Sequence, residues 1–380
     1  MKSIKIIICF FWICVLSWKA VAQNYHVELP YENVRNNIIV RATVDGIEGR
    51  YIFDTGAPMC LTYSRMKKSP DVDFTEQKVK DAHGQESVLK QIVLKSVSLG
   101  EINFQNIPAV ILDEGNPMEC FGVDGVIGSS LFPYTVVRLD ARKQVLILAS
   151  QAGQFTLNLR TMLPMEINRQ NIPFIYLNLG NGNQDKVMFD TGASSFYEMS
   201  GASYTALQVQ DAVNTLSTGY GVLGMGVGGI ERPGWKYRVK INDMRLGIGK
   251  FKNVITETMD GPVSLLGVGI LKYGIVTLDF PGHKFYFEPY EPRAVDMDRK
   301  VWNVAVTVSG DSLVAGFVWE SMKKEIKGGE KVVAVNGKRF DKIDPCKAMT
   351  SSIVKMEGEE ALIIIIDRSG KERELTIRKE

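Results

Sequence analysis

Histidine is scarce: 380 residues contain only His26, His83 and His283, and none stands in a spacing that builds a metal site. The chain also lacks a Gly-x-Ser-x-Gly elbow and a phosphate-binding glycine loop followed by lysine. No metal and no cofactor is therefore expected. Charge of either sign is not in excess, with 45 Lys and Arg against 43 Asp and Glu. Removal of a leader carrying Lys2, Lys5 and Lys19 would turn the formal charge of +2 into −1, which excludes a nucleic acid partner or an anionic surface as the reason for the fold. Long apolar runs are missing after the N-terminus, so no stable membrane span is expected once the leader is cut.

What is present begins with that leader. Lys2 and Lys5 precede an apolar run over 6–18, and Ala20, Val21 and Ala22 follow in the small-x-small pattern of a cleavage site. Residues 1–22 read as a signal peptide, giving a periplasmic or secreted product; an uncleaved anchor is the alternative. Cysteine is also sparse. Beyond the leader only Cys60, Cys120 and Cys346 remain, in a compartment that would be oxidising. One outcome is a Cys60–Cys120 bridge with a free thiol left over, preferred because both fall in the first half of the chain. The other is three buried, unpaired cysteines.

The chain repeats itself, which has to be read before any element is assigned. Leu29-Pro30-Tyr31-Glu32 is echoed by Leu163-Pro164-Met165-Glu166, and Asp54-Thr55-Gly56-Ala57 recurs as Asp190-Thr191-Gly192-Ala193. Leu99-Gly100 answers to Leu246-Gly247, Val126-Ile127-Gly128 to Leu265-Leu266-Gly267, and Leu139-Asp140 to Leu278-Asp279. Both copies carry apolar runs of strand length broken by Gly, Asn and Asp, so both read as β structure with lobes over 24–150 and 160–292. Residues 129–134 and 268–273 read as one short helix per lobe. A third unit over 300–380 reads as a small α+β module: a strand before the Asn336-Gly337 hairpin turn, a helix over 345–356, and two closing strands. The run Leu362 to Ile366 shows no polar alternation and is expected to be buried on both faces.

Two Asp-Thr-Gly turns at equivalent repeat positions suggest chemistry. Two carboxylates within hydrogen-bonding distance cannot both ionise easily, so they share a proton and supply one acid and one base. Such a pair can activate water against an amide without a metal or a covalent intermediate. The alternative is a duplicated barrel in which each Asp merely caps its turn.

The paired Asp-Thr-Gly-Ala turns, each followed by an apolar-apolar-Gly element and a short helix, resemble retropepsin-type aspartic peptidases over residues 27–290. The resemblance implies a bilobed, mainly β acid-protease fold: a pair of β-barrels with Asp54 and Asp190 as the catalytic dyad and Thr55, Gly56, Thr191 and Gly192 supporting it. Both lobes lie in one chain, so dimerisation is not required for the dyad. Ala57 and Ala193 resemble the retroviral form, which implies a working pH higher than that of pepsin-like relatives. It also implies β-hairpin flaps over a peptide or protein substrate. The candidates are 80–89, turning at His83 and Gly84, and a longer glycine-rich segment over 219–229 with Gly224, Gly226, Gly228 and Gly229, whose glycines suit a lid that opens. A disordered surface loop is the competing expectation for that segment. The run 327–340 resembles a strand and turn of bacterial PDZ domains, which implies a PDZ-like unit over 300–380; Leu313 to Phe317 match the carboxylate loop only loosely, so capture of a C-terminal peptide and a purely structural or autoregulatory role stand as alternatives. The expected activity is aspartic endopeptidase; the alternative is a catalytically silent peptide-binding protein of the same fold.

Overall fold

The apolar runs of each half fold into strands, and the two halves use them in one pattern. The computed structural model describes residues 24–68, 73–80, 86–226 and 229–380; the predicted leader, His83, Gly84 and Gly228 lie outside them. In the first half, Glu32–Val34, Asn37–Val44, Ile47–Asp54, Gly125–Gly128, Cys60–Leu61, Ile102–Ile111, Glu86–Leu99 and Thr75–Lys80 follow one another across a sheet. The second half repeats that order with Glu166–Ile167, Pro173–Asn178, Gln184–Asp190, Ser264–Gly267, Tyr197–Ser200, Gly249–Met259, Gly234–Leu246 and Asn214–Gly221. Each sheet curls back on itself, Thr43 meeting Ser98 and Asn178 meeting Arg245.

A second, six-stranded sheet joins the halves. Val136–Asp140 pairs antiparallel with Gly274–Asp279, so that Val137 faces Leu278 and Leu139 faces Val276. Leu278 is the repeat counterpart of Leu139. Equivalent strands that pair antiparallel with exchanged partners define a pseudo-two-fold axis. One apolar core runs through both halves, with Phe53, Ile127, Phe189, Leu266 and Leu278 fully enclosed. Burying aromatic groups of this size contributes on the order of 2–3 kcal/mol each, which fixes the strands that end in Asp54 and Asp190.

The C-terminal unit has its own core, built around Leu313, Val332, Ile363, Ile365 and Ile377. Asn336 and Gly337 both adopt positive φ, as their hairpin turn requires, and Val335 pairs with Lys338 across it. Two expectations are corrected here. Ala361, Ile363 and Ile365 are buried, but Leu362 is 38% exposed, so Glu360–Ile366 is covered on one face only, as an antiparallel strand with one face on a core can be. The helix is Pro345–Thr350 and not 345–356: Ser351 is extended, and its hydroxyl donates to the Lys347 carbonyl. The short helices of the lobes are single 3₁₀ turns, Ser129–Leu131 and Val268–Lys272.

The sheet of the second lobe does not stop at its last strand. Asn214–Gly221 is continued by Ser312–Trp319 of the C-terminal unit, with Gly219, Tyr220 and Gly221 facing Trp319, Val318 and Phe317. The Val222 N–H adds a 2.8 Å bond to the Gly316 carbonyl. The run Leu313 to Phe317 is therefore strand, not an open loop.

The cysteine pairing differs from the expected one. Cys120 bonds to Cys346, joining the first lobe to the C-terminal helix, and Cys60 is the free thiol. Cys60 is held in a buried strand opposite Val110 and Val126, packed in an apolar cluster with Leu89 and Leu112. Among the described residues no helix is long and apolar enough to cross a membrane.

Candidate active site

Each Asp ends a strand that is wholly enclosed at its last residues, because it lies between two neighbours in the middle of its sheet. Ile47–Asp54 pairs in parallel with Gly125–Gly128, placing Asp54 opposite Gly128; Gln184–Asp190 pairs likewise with Ser264–Gly267, placing Asp190 opposite Gly267. The pseudo-two-fold axis then brings the two turns face to face.

Beneath them the threonines interlock. The Thr55 hydroxyl donates to the Phe189 carbonyl at 2.7 Å and accepts from the Thr191 N–H at 3.1 Å. The Thr191 hydroxyl donates to the Phe53 carbonyl at 2.9 Å and accepts from the Thr55 N–H at 3.0 Å. Both threonines are fully buried, and their hydroxyls bond four backbone groups across the lobe boundary. This is a fixed link between the lobes at the base of the cleft.

Above it, the Asp54 and Asp190 side chains hydrogen-bond to each other. The Gly56 N–H donates to Asp54 Oδ1 at 2.8 Å, and the Gly192 and Ala193 N–H groups donate to Asp190 Oδ1 at 2.8 and 3.2 Å. A Cβ on Gly56 would come within 2.5 Å of the Asp190 carboxyl carbon, and one on Gly192 within 2.4 Å of Asp54 Oδ2. The glycines are there because each turn packs against the carboxylate of the other. Burial raises the pKa of Asp54 against the pull of these N–H donors. Burial and then repulsion from Asp54 raise that of Asp190 well above the carboxylate range. The pair consequently retains a proton where free carboxylates have lost theirs, and that proton belongs to both.

The dyad floors a cavity of about 1000 Å³. The first flap contributes Ser87 and Leu89 to its lining, the second contributes Leu223 and Gly224, and Glu231 joins them from just beyond it. In the first flap Lys80 pairs with Glu86, and the tip beyond lies outside the described residues. In the second, Gly226 pairs with Gly229 and Met225 with Ile230.

Two features of the second flap escaped sequence reasoning. Glu231 is buried; its Oε1 accepts from the Leu223 and Gly224 N–H groups at 2.8 and 3.0 Å, and its Oε2 meets Lys236 Nζ at 3.2 Å. Lys236, also buried, reaches Asp260 at 2.8 Å. The charged set pins the flap's root. Gly219 and Gly221, read as part of a pliable lid, serve contact with the C-terminal strand: a Cβ would lie 2.3 Å from the Phe317 ring and 2.1 Å from the Gly316 carbonyl respectively. Glycine enrichment signals flexibility and close approach alike, and sequence does not separate them. Cys60 also lines the cavity, its thiol pushed up to about 12 by burial and then by the charge of Asp54.

A family model for aspartyl proteases matches residues 40–131, a span that contains Asp54 and Val126-Ile127-Gly128. No curated protein sequence is significantly similar to the chain. Among solved structures, the chain is similar to a retropepsin-like aspartic protease from Rickettsia conorii, at 22% identity and a TM-score of 0.25, over 33% of this chain and 92% of that one. It is also similar to basic 7S globulin from soybean, at 10% identity and a TM-score of 0.41, over 70% of this chain and 95% of that one. An aspartic proteinase from Irpex lacteus matches at 9% identity and a TM-score of 0.40, over 70% and 97%. Residues 40–131 thus share the sequence pattern of aspartyl proteases, and they sit in a mainly β fold of paired barrels.

Proposed function

We propose that the protein is an exported aspartic endopeptidase in which Asp54 and Asp190 hydrolyse peptide bonds with a shared proton. One observation carries this: two buried carboxylates hydrogen-bonded to each other at the floor of an open cavity. Burying two like-charged groups together costs several kcal/mol unless one is neutral, and nothing in packing alone requires it. The ionised carboxylate takes a proton from a bound water as the water oxygen bonds to the scissile carbonyl carbon. The protonated carboxyl gives its proton to the carbonyl oxygen, and a neutral tetrahedral diol results. The C–N bond then breaks as the dyad delivers a proton to the amine and receives one from a diol hydroxyl. One water is consumed, and the dyad ends with the single proton it began with.

Export is supported by the predicted leader and by the Cys120–Cys346 bridge, which suits an oxidising periplasmic or extracellular space. The PDZ-like unit over 300–380 acts in cis. The strand that would accept an added peptide strand already has the second flap on its edge.

The test is incubation with a mixture of unstructured peptides between pH 3 and 7, followed by mass spectrometry of the products. New termini produced by the wild-type protein and absent with Asp54→Asn support the peptidase. Binding of the same peptides without cleavage at any pH would make it a silent peptide-binding protein.

A further inference from the structure

The two ends of the cleft are related by the pseudo-two-fold axis, and each is marked by a turn that reaches across to the other lobe. At one end Asn36 donates to the Ser194 carbonyl at 3.3 Å; at the other Asn171 donates to the Ser129 carbonyl at 2.8 Å. By symmetry the ends should be alike, but the C-terminal unit meets the first lobe at the Asn36 end. Ser352 Oγ accepts from Arg35 Nη1 at 3.3 Å. Cys346 is bonded to Cys120, whose neighbours Met118 and Phe121 pack with Val34 beside the same turn. Met349, one helical turn beyond Cys346, lines the catalytic cavity together with Arg35 and Arg299. The opposite turn, 168–171, is not part of that lining.

We propose that the C-terminal unit is the end wall of the substrate cleft, closing it on the Arg35 side, so that the endopeptidase cleaves internal bonds lying a fixed, short number of residues from one end of its peptide. An extended chain advances about 3.3 Å per residue, so a wall on one side admits a fixed, short number of residues there, whereas the opposite side leaves the chain free to continue. The wall is fastened twice: to the first lobe by the Cys120–Cys346 bridge and to the second by the strand pairing of Ser312–Trp319 with Asn214–Gly221. Both lobes therefore hold it in place. This deepens the peptidase assignment and rests on it for turnover, but the wall itself can be read by binding alone.

The experiment uses alanine peptides with a central hydroxyethylene isostere, which mimics the tetrahedral diol and cannot be cleaved. They are lengthened one residue at a time at the N-terminal or the C-terminal end, and affinity is measured by calorimetry on the full chain. Cleavable peptides of the same lengths are assayed in parallel. The expected result is a drop of about tenfold or more, equivalent to about 1.4 kcal/mol, once one end passes a fixed length, with no drop on lengthening the other. Which terminus shows the drop identifies the end that faces the wall. Met349→Trp should shorten the tolerated length, and Met349→Ala or reduction of Cys120–Cys346 should lengthen it. Equal tolerance at both ends, or a length limit unmoved by both Met349 variants and by reduction, overturns the wall. A one-sided limit in binding with no cleavage of any peptide leaves the wall standing and overturns the peptidase. Efficient cleavage far from both ends of a long peptide does the reverse.

Discussion

The two lobes share a strand order and a catalytic turn, yet their outermost strands meet different fates. Thr75–Lys80 ends its sheet in the first lobe, whereas Asn214–Gly221, at the same place in the second, is extended by the C-terminal unit into a single 15-stranded sheet. The repeat dictates symmetry where the two lobes must cooperate, at the dyad and in the shared six-stranded sheet. It does not reach the rims, where one flap has a free outer edge among the described residues and the other is anchored by a covalently tethered neighbour. An edge strand left unpaired is free to move and liable to pair elsewhere; covering it removes both properties. The strand Thr75–Lys80 accordingly keeps one open edge, whereas Asn214–Gly221 is held between two neighbours.

The largest stability effect should come from the charged set under the second flap, which has no counterpart among the described residues of the first. Lys236→Met leaves Glu231 buried beside a half-exposed Asp260, and chemical denaturation should show a loss of about 3–5 kcal/mol. A loss under 1 kcal/mol would show that Glu231 is held adequately by its flap N–H donors.

Next comes the strand junction. Gly221 has φ +148° and would place a Cβ 2.1 Å from the Gly316 carbonyl, so Gly221→Val should cost about 3 kcal/mol and open amide exchange along Ser312–Trp319. Glu76→Val, in the corresponding strand of the first lobe, should stay within about 0.5 kcal/mol of the wild type. Equal costs at the two positions would erase the contrast between the flaps.

The threonine interlock tests the symmetric side of the comparison. Thr55→Val and Thr191→Val each remove a hydroxyl's bonds to an N–H and a carbonyl across the boundary, at about 1–3 kcal/mol, and thermal unfolding should rank them equal. A clear difference would mean the two lobes do not share the link evenly.

The smallest effect is a pH slope. Both dyad carboxyls titrate above their unfolded values, so the stability they contribute is fully present below the ordinary Asp pKa of about 3.9 and is lost as pH rises through the raised folded values. Asp190→Asn removes the repulsion, and its melting temperature should fall less than that of the wild type across this range. A parallel pH dependence would show that the carboxyls do not share a proton.

How much of this was legible in the sequence follows from the range of each interaction. Two copies of Asp-Thr-Gly-Ala at one repeat offset carry strand, turn and symmetry within a few residues of each Asp, because the strand that delivers it is local and apolar. The glycines at 219 and 221 gave a composition without its cause, since Phe317 and Gly316 lie about a hundred residues further on. The Cys120–Cys346 bridge could not be read either: it joins positions 226 residues apart, and proximity in sequence favoured Cys60. Glu231 and Lys236 carry no local mark of burial; only the fold encloses them. Leu362 was misassigned because an unbroken isoleucine run reads alike whether one face or two are covered.

The most direct measurement is the rate of hydrolysis of one short peptide by the wild type, by Asp54→Asn, by Asp190→Asn and by the double variant, each checked for an unchanged fold. Acid and base come from one pair, so either single change should lower kcat/KM at least about a hundredfold, and the double variant should be no slower than the singles. Retention of most activity by either single variant, or additive losses in the double, would contradict a shared dyad.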